Sequence, residues 1–510
     1  MAPMTTSPPT GPAAEPSAAS PSASAAPADA PAVTTAGWPV WQAVALRFAL
    51  VYALLYASPE PVRLLLRAVD GVFDSLAWRL DLPWLGGAPF AWCGAAATWL
   101  GGVEGWWGTA MSWLAERGLT PYPVLVQPTG SGDTGLEIAR TLTVALGSTV
   151  VALAWSLLVR GPVAYPRAGR WLHLYVRWWL AFALLVYGVA KLYVGQFGEL
   201  GNRRLLTTIG DASPMDLLWT FMAASRPYEV LTGVLEILPA LLLFHRRTAL
   251  LGAVLAAVVL ANVVALNWCY DVPVKLYSTH LLVAALALLL PWRGPLWSLF
   301  VANRSCEPPD LAVVRVAWLR ATLTVAGALL VAAHLLTLHV EHAAFAAGQA
   351  TKDGPKPVLH GVWEVESMKV ERPSADPAGV PAFGEVPPSD ATRWRRLVIG
   401  SGRRAYAEDL AGARIEFDYG EDLAAGVVTL QPRTGDGAAK WTVRREVATR
   451  QVLHPAPETM ADFNRRIDQT RAVLILGGSY AGKRVELQLV ERVFDLQRGF
   501  HLRQEYPYGR

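Results

Sequence analysis

Seven stretches of the chain stay apolar for about as long as a bilayer is thick, and no other feature limits its fold as strongly. They lie at residues 38–57, 136–159, 171–194, 228–244, 249–266, 276–290 and 313–340. A helix needs roughly 20 apolar residues to cross the hydrocarbon core, and shorter runs draw on their flanks. The 510 residues are 53% hydrophobic and only 17% charged, with a mean hydropathy of +0.29. That excess, concentrated in long runs, predicts an α-helical polytopic membrane bundle rather than one soluble core. The lipid bilayer is therefore the first expected partner.

Arginine placement orients the runs. Arg160, Arg167, Arg170 and Arg177 follow the second run, and Arg246 and Arg247 follow the fourth. Arg293, Arg304, Arg315 and Arg320 bracket the entry to the last. Basic residues accumulate on the cytoplasmic side, so these alternate connections predict a cytoplasmic N-terminus and an outward C-terminus. The net charge of +4 thus reads as a topology signal, with no nucleic-acid footprint. The 21 tryptophans suit membrane interfaces, where an apolar ring with an N–H is favoured. Bacterial inner-membrane residence is the expectation.

The segments around the spans differ in character. Residues 1–37 are almost all Ala, Pro, Ser, Thr and Gly, too poor in apolar area to offset ordering, and are read as a disordered tail. They lack the basic start and short apolar core of a signal peptide, so the first span is read as an uncleaved anchor. Between Val62 and Leu76 apolar and charged residues fall on opposite helical faces, the pattern of an interfacial helix. Residues 88–116, rich in Trp and broken by Gly and Glu104, read as a surface or re-entrant helix. Asp133 or Thr134 stands where a side-chain oxygen would cap the second span, with a ligand-contacting loop as the other reading.

Beyond a linker at 341–358 the period shifts from helical to alternating. Runs at 361–370, 394–399, 405–410, 414–419, 426–430, 440–447, 472–476, 484–490 and 500–505, separated by Gly, Asp and Pro, predict an all-β barrel or sandwich over 359–510. A helix is expected at 457–468. The orientation above makes this domain extracytoplasmic. Its opening Gly361-Val362-Trp363, with Arg498 and Arg503 flanking the last strand, offers an indole covered by an arginine at the closed end, a packing signature before it is a ligand clue.

Polar groups inside the apolar runs mark the candidate site, because ionisable residues there must be paired, protonated or water-lined. Glu236 sits in mid-span, deeper than Lys191 and His280, which lie nearer the outer ends of neighbouring spans. These three are the candidates for proton transfer, since a carboxyl and an imidazole in a dry site can be brought toward neutral pKa values. Gln196, Asn262, Asn267, Asp271, Lys275 and Asp133 are candidate ligand contacts at or above that level. Structural roles compete: Lys191 can snorkel to the interface, Asn262 can bond to another helix, and Asp271 with Lys275 can be an exposed pair. Cys93, Cys269 and Cys306 are far apart and support neither a zinc site nor a dithiol, so no metal is expected and no cofactor is evident.

Residues 171–291, about a quarter of the chain, resemble the DoxX-like membrane proteins. The resemblance is carried by Tyr187-Gly188 with Lys191, Gln196-Phe197, Gly233 with Glu236, and the run from Tyr270 through Asp271, Val272, Pro273 and Val274 to Lys275. It implies a compact four-helix core and membership among small membrane subunits of redox assemblies, including a thiosulfate:quinone oxidoreductase. More loosely, residues 130–134 and Arg498-Gly499-Phe500-His501 with Glu505-Tyr506-Pro507 resemble a longer bacterial branch. In that branch the bundle is joined to a periplasmic lipocalin-like domain. The layout is also distantly similar to the vitamin K-dependent carboxylase-like proteins. These likenesses imply an accessory or redox-associated subunit that binds a quinone or lipid-like molecule and meets a redox partner. A membrane oxidoreductase or carboxylase-like enzyme using Glu236, His280 or Lys191 is the alternative. A third reading makes the barrel an extracytoplasmic binding module.

Overall fold

The computed structural model describes residues 38–57, 66–67, 69–70, 91–114, 116–117, 131–159, 163–193, 196–354, 356–372, 382–390, 393–422, 424–433, 439–446, 473–480, 483–492 and 494. The expected tail, the helix at 457–468, the strand at 500–505, Arg498 and most of the interfacial helix lie outside these residues. Among the described residues, seven helices in the N-terminal two-thirds are long and apolar enough to cross a membrane. They are α1 (Val40–Ala57), α3 (Gly135–Leu158), α4 (Pro166–Leu192), α7 (Arg226–Phe244), α8 (Ala249–Cys269), α9 (Lys275–Leu289, running on to Phe300) and α11 (Ala317–Asp353). The chain is a multi-pass membrane protein. The Trp-rich α2 (Ala91–Leu114) is not among the seven and packs against α3.

Local chemistry sets the helix starts. Thr134 takes a non-helical backbone, and its hydroxyl accepts the Glu137 N–H at 3.3 Å, starting α3. Pro166 stands at the first position of α4, where its missing N–H costs nothing. In the loop after α4, a single turn α5 (Asn202–Leu206) precedes α6 (Pro214–Ala223), whose cap is the Ser213 hydroxyl accepting from Asp216 N. A short α10 (Arg293–Phe300) ends the sixth span.

The bundle core is built by α4, α7, α8 and α9, with α11 against α4. Leu180, Leu184, Leu185 and Val189 of α4 pack on Ala240 and Leu243 of α7, Ala256 and Leu260 of α8, Leu281 and Ala285 of α9, and Val331 and Leu338 of α11. Small residues recur at these contacts because, between helices in lipid, close backbone packing replaces the hydrophobic drive. A second cluster roofs one end: Phe197, Leu218 and Met222 of the loop and α6 enclose Val272 of the α8–α9 turn.

Residues expected as a linker begin as helix, because α11 continues through Asp353. The chain then enters a β-domain whose described residues form nine antiparallel strands in the order β2-β1-β3-β4-β5-β6-β7-β8-β9. They are β1 (Gly361–Arg372), β2 (Ala382–Glu385), β3 (Trp394–Ile399), β4 (Arg404–Asp409), β5 (Arg414–Asp422), β6 (Val427–Pro432), β7 (Ala439–Glu446), β8 (Val473–Tyr480) and β9 (Lys483–Glu491). The sheet curls until β9 pairs with β1, from Trp363 opposite Glu491 to Val370 opposite Val485. Strand β1 serves three neighbours by dividing its length, with β3 along Gly361–Glu364 and β2 along Lys369–Arg372. A bulge between Val365 and Ser367 bends it between those duties.

Inward side chains fill this barrel. Trp363, Trp394, Leu397, Phe417, Leu430, Leu476 and Leu487 belong to one buried cluster. The Trp363 indole N–H donates to Leu359 O at 2.9 Å, so the indole closes the entry end as a packing residue. Glu421 accepts from the backbone of Val358 and Leu359 and from the Tyr419 hydroxyl, pinning the chain where it enters the sheet. Burial and the Glu421 carboxylate together push the Tyr419 phenol above its ordinary range. The barrel touches the bundle through Lys356–Glu199 at 2.9 Å and Asn202 Nδ2 donating to Ile399 O at 3.3 Å.

Candidate functional site

Helices α4 and α7 bring two charges together. Lys191 Nζ lies 2.8 Å from Glu236 Oε2, with side chains 8% and 5% exposed. Neither charge would be tolerated alone at that burial. The ammonium also donates to Tyr187 O at 3.4 Å and stands 5.8 Å from the centre of the Tyr187 ring. Of the partners expected for Glu236, the structure supplies Lys191.

One turn away, Gly188 and Gly233 make this approach possible. A Cβ on Gly188 would fall 2.9 Å from Gly233 O and 2.6 Å from Ile237 Cγ1. One on Gly233 would fall 2.7 Å from Gly188 O. Each helix therefore carries a glycine three residues before its charge, and the pattern lets the backbones touch beside the ion pair.

A second ion pair, with only its carboxylate buried, stands on the same face of α7. Glu229, seven residues before Glu236, is 2% exposed and accepts from Arg226 at 2.5 Å. Arg226 also donates to Lys191 O and Leu192 O, supplying donors to the last carbonyls of α4. Among the described residues, Glu229 Oε1 and Gln196 Oε1 are buried without a hydrogen-bond partner. The sequence reading missed Glu229, although its spacing of seven from Glu236 puts both on one helical face.

His280 is placed elsewhere. Its Nδ1 lies 2.7 Å from Leu276 O, an acceptor, so Nδ1 carries the proton. In the neutral ring Nε2 then accepts from the Tyr52 hydroxyl of α1 at 2.6 Å. The imidazole stacks on Tyr56 with centroids 4.0 Å apart. Further ring contacts run from Tyr56 to Trp179 (6.2 Å), Trp179 to Tyr277 (6.4 Å) and Tyr277 to Tyr187 (5.9 Å). An aromatic path thus joins His280 to the Lys191–Glu236 pair. Tyr52 and Tyr56 had no signal as site residues, since aromatics in an apolar run look like ordinary lining.

The remaining candidates divide. Asp133 accepts from Lys275 N (2.7 Å) and Leu276 N (2.9 Å), so its carboxylate caps α9 across 142 residues of chain, while Thr134 caps α3. Lys275 Nζ lies 3.8 Å from Asp133 and 2.7 Å from Asp271. Asp271, 80% exposed, is the water-facing member of that pair. Gln196 gives its backbone carbonyl to the Trp219 indole N–H at 3.2 Å. Asn267 is buried beneath the roof, whereas Asn262 lies on the exposed face of α8. Among the described residues no cluster of His, Cys, Asp and Glu could hold a metal ion.

No family model and no solved structure matches this chain significantly. Over 113 residues, 22% of this chain and 71% of the relative, it is 42% identical to the uncharacterized protein YwoB of Bacillus subtilis (strain 168). At that identity and coverage of the relative, the chain belongs to the same family as YwoB.

Proposed function

We propose that the protein is an accessory, redox-associated membrane subunit of the DoxX-like kind, whose helical bundle binds a quinone or a similar lipid-like molecule. One observation carries the reading: His280, hydrogen-bonded to Tyr52 and stacked on Tyr56, is joined by Trp179, Tyr277 and Tyr187 to the buried Lys191–Glu236 pair. A quinone ring needs flat apolar neighbours and donors for its carbonyls, and this set offers both within spans that its apolar tail can reach from the lipid. The Tyr52 hydroxyl, while donating to His280, keeps lone pairs that can accept from a quinol. The partner in this reading is an oxidoreductase that exchanges electrons with the bound molecule. The packed barrel interior supports a ligand in the bundle rather than in the barrel; in this reading the lipocalin-like domain meets a partner outside the inner membrane.

The test is native mass spectrometry of the detergent-extracted full chain, with His280→Gln and Tyr52→Phe alongside. Co-purified quinone in the parent, reduced in both variants at unchanged thermal midpoint, is the expected result. A parent that retains no quinone, even after incubation with a short-chain quinone, would sink the proposal.

A further inference from the structure

At the end of the bundle away from the roof, a cavity of about 310 Å³ is lined by Arg167, Arg170, Trp171, Val313 and Arg315. Two of its arginines lie in the first turns of α4, and the third comes from the irregular segment leading into α11, so two segments far apart in sequence converge on it. Like charges gather this way only at a cost, which grows as the site becomes less wet.

Counting charges shows what is missing. Asp310 is the acid at this place, 2.9 Å from Arg315 and 4.0 Å from Arg170. Its own N–H contact from Ala312 and the two guanidiniums hold its carboxyl below the usual range, so it is ionised. Three arginines against one carboxylate still leave a formal surplus of two positive charges. Arg167 has no ion pair among the described residues.

Helix α4 adds to the surplus. Its first residue follows Tyr165, which makes no side-chain capping bond, and no acidic residue occupies the first turn. The positive end of a 27-residue helix therefore points into a site already rich in arginine, the reverse of the usual arrangement. Trp171, 58% exposed, marks the same level as a membrane interface, where indoles settle.

We propose that this cavity seats a phosphate-bearing anion at headgroup level, supplied by an anionic phospholipid or by free phosphate. Arginine forks match phosphate oxygens, and the volume is roughly ten times the share of one liquid water, enough for a phosphate group and its ester substituents. Position favours the lipid: the cavity opens beside the start of a span, where a phosphodiester belongs.

The experiment places the full chain in nanodiscs of phosphatidylcholine, with or without phosphatidylglycerol, and in phosphatidylcholine with inorganic phosphate. Retained lipid is read by native mass spectrometry and stability by thermal unfolding. Arg167→Gln and Arg315→Gln are compared with Trp297→Phe, an exposed change elsewhere on the chain. Selective retention of phosphatidylglycerol, falling about fivefold per arginine removed, supports the site with lipid as its source. Stabilisation by inorganic phosphate alone, lost in both arginine variants, supports it with a soluble source. Equal retention of both lipids with no response to phosphate overturns it, as does selectivity that both arginine variants preserve.

Discussion

Gly188 and Gly233 touch backbone to backbone, each placed so that a Cβ would strike the other's carbonyl oxygen at 2.9 and 2.7 Å. The contact lies one turn from the Lys191–Glu236 pair and fixes how closely those charges approach. Alanine at either position forces α4 and α7 apart, with an expected cost of about 1–3 kcal/mol. Because the first alanine already opens the crossing, the second should add less than the first. Thermal unfolding of the detergent-solubilised protein measures both; fully additive losses would mean that the glycines act separately.

The ion pair makes an asymmetric prediction. Glu236→Gln leaves a buried ammonium without its counter-charge and should cost about 3–5 kcal/mol. Replacing both partners, as Lys191→Met with Glu236→Leu, removes both desolvation penalties. The double variant should therefore unfold at a higher temperature than either single one. A double variant less stable than Glu236→Gln would show that the pair is held for more than mutual neutralisation.

Asp133 ties the start of α3 to the start of α9 through two backbone N–H groups. Asp133→Ala should cost about 1–2 kcal/mol, the range for a lost cap. The loss should be local. Amide exchange at Lys275 and Leu276 should accelerate while amides in mid-α9 stay protected, and unchanged exchange at those two residues would refute the capping role.

The joint between bundle and barrel should respond to mild acid. Burial, with Lys356 nearby, holds His360 below its ordinary value of 6.5, and Glu199 opposes this only partly. An unfolded chain then binds the proton more readily than the folded one, so stability falls as pH falls. This contribution is whole above 6.5 and is lost as pH drops through the lower folded-state value. His360→Gln should flatten that part of the pH dependence, read by limited proteolysis at the joint between pH 7.5 and 5, a range chosen to span roughly the imidazole titration. An unchanged slope would exclude His360 as its source.

The spans were legible because hydropathy and length act locally: all seven start within a few residues of their apolar runs, although the sixth runs on to Phe300 and α11 to Asp353. Eight strands were legible from alternation and turn residues. The exception, β2, has four residues at an edge and pairs with only the far part of β1, too short for a period to show. Glu236 and Lys191 stood out because charge in an apolar run is rare. Their pairing did not, since it depends on a helix crossing set by two glycines. His280 went to Tyr52 because α1, packed on α3 and α4, brings Tyr52 and Tyr56 within reach of α9, and no residue pattern in either helix encodes that meeting. Asp133 caps the distant α9 for the same reason, while the nearer cap went to Thr134.

Two natural cysteines can report the orientation. Cys269 ends α8 beside the roof, and Cys306 lies in the connection to α11 among the arginines; both are exposed, whereas Cys93 is buried. In the orientation that the arginine-rich connections predict, Cys306 lies in the cytoplasm and Cys269 outside. A membrane-impermeant maleimide added to intact spheroplasts should therefore label Cys269 at once and Cys306 only after permeabilisation. Cys269→Ser and Cys306→Ser assign the two signals, and Cys93 should stay unlabelled until the protein is denatured. Labelling of Cys306 with Cys269 protected would invert the orientation, moving the barrel to the cytoplasm and the arginine cavity to the outer leaflet. Since Lys356–Glu199 and Asn202–Ile399 fix the barrel at the roofed end, one labelling experiment orients both domains.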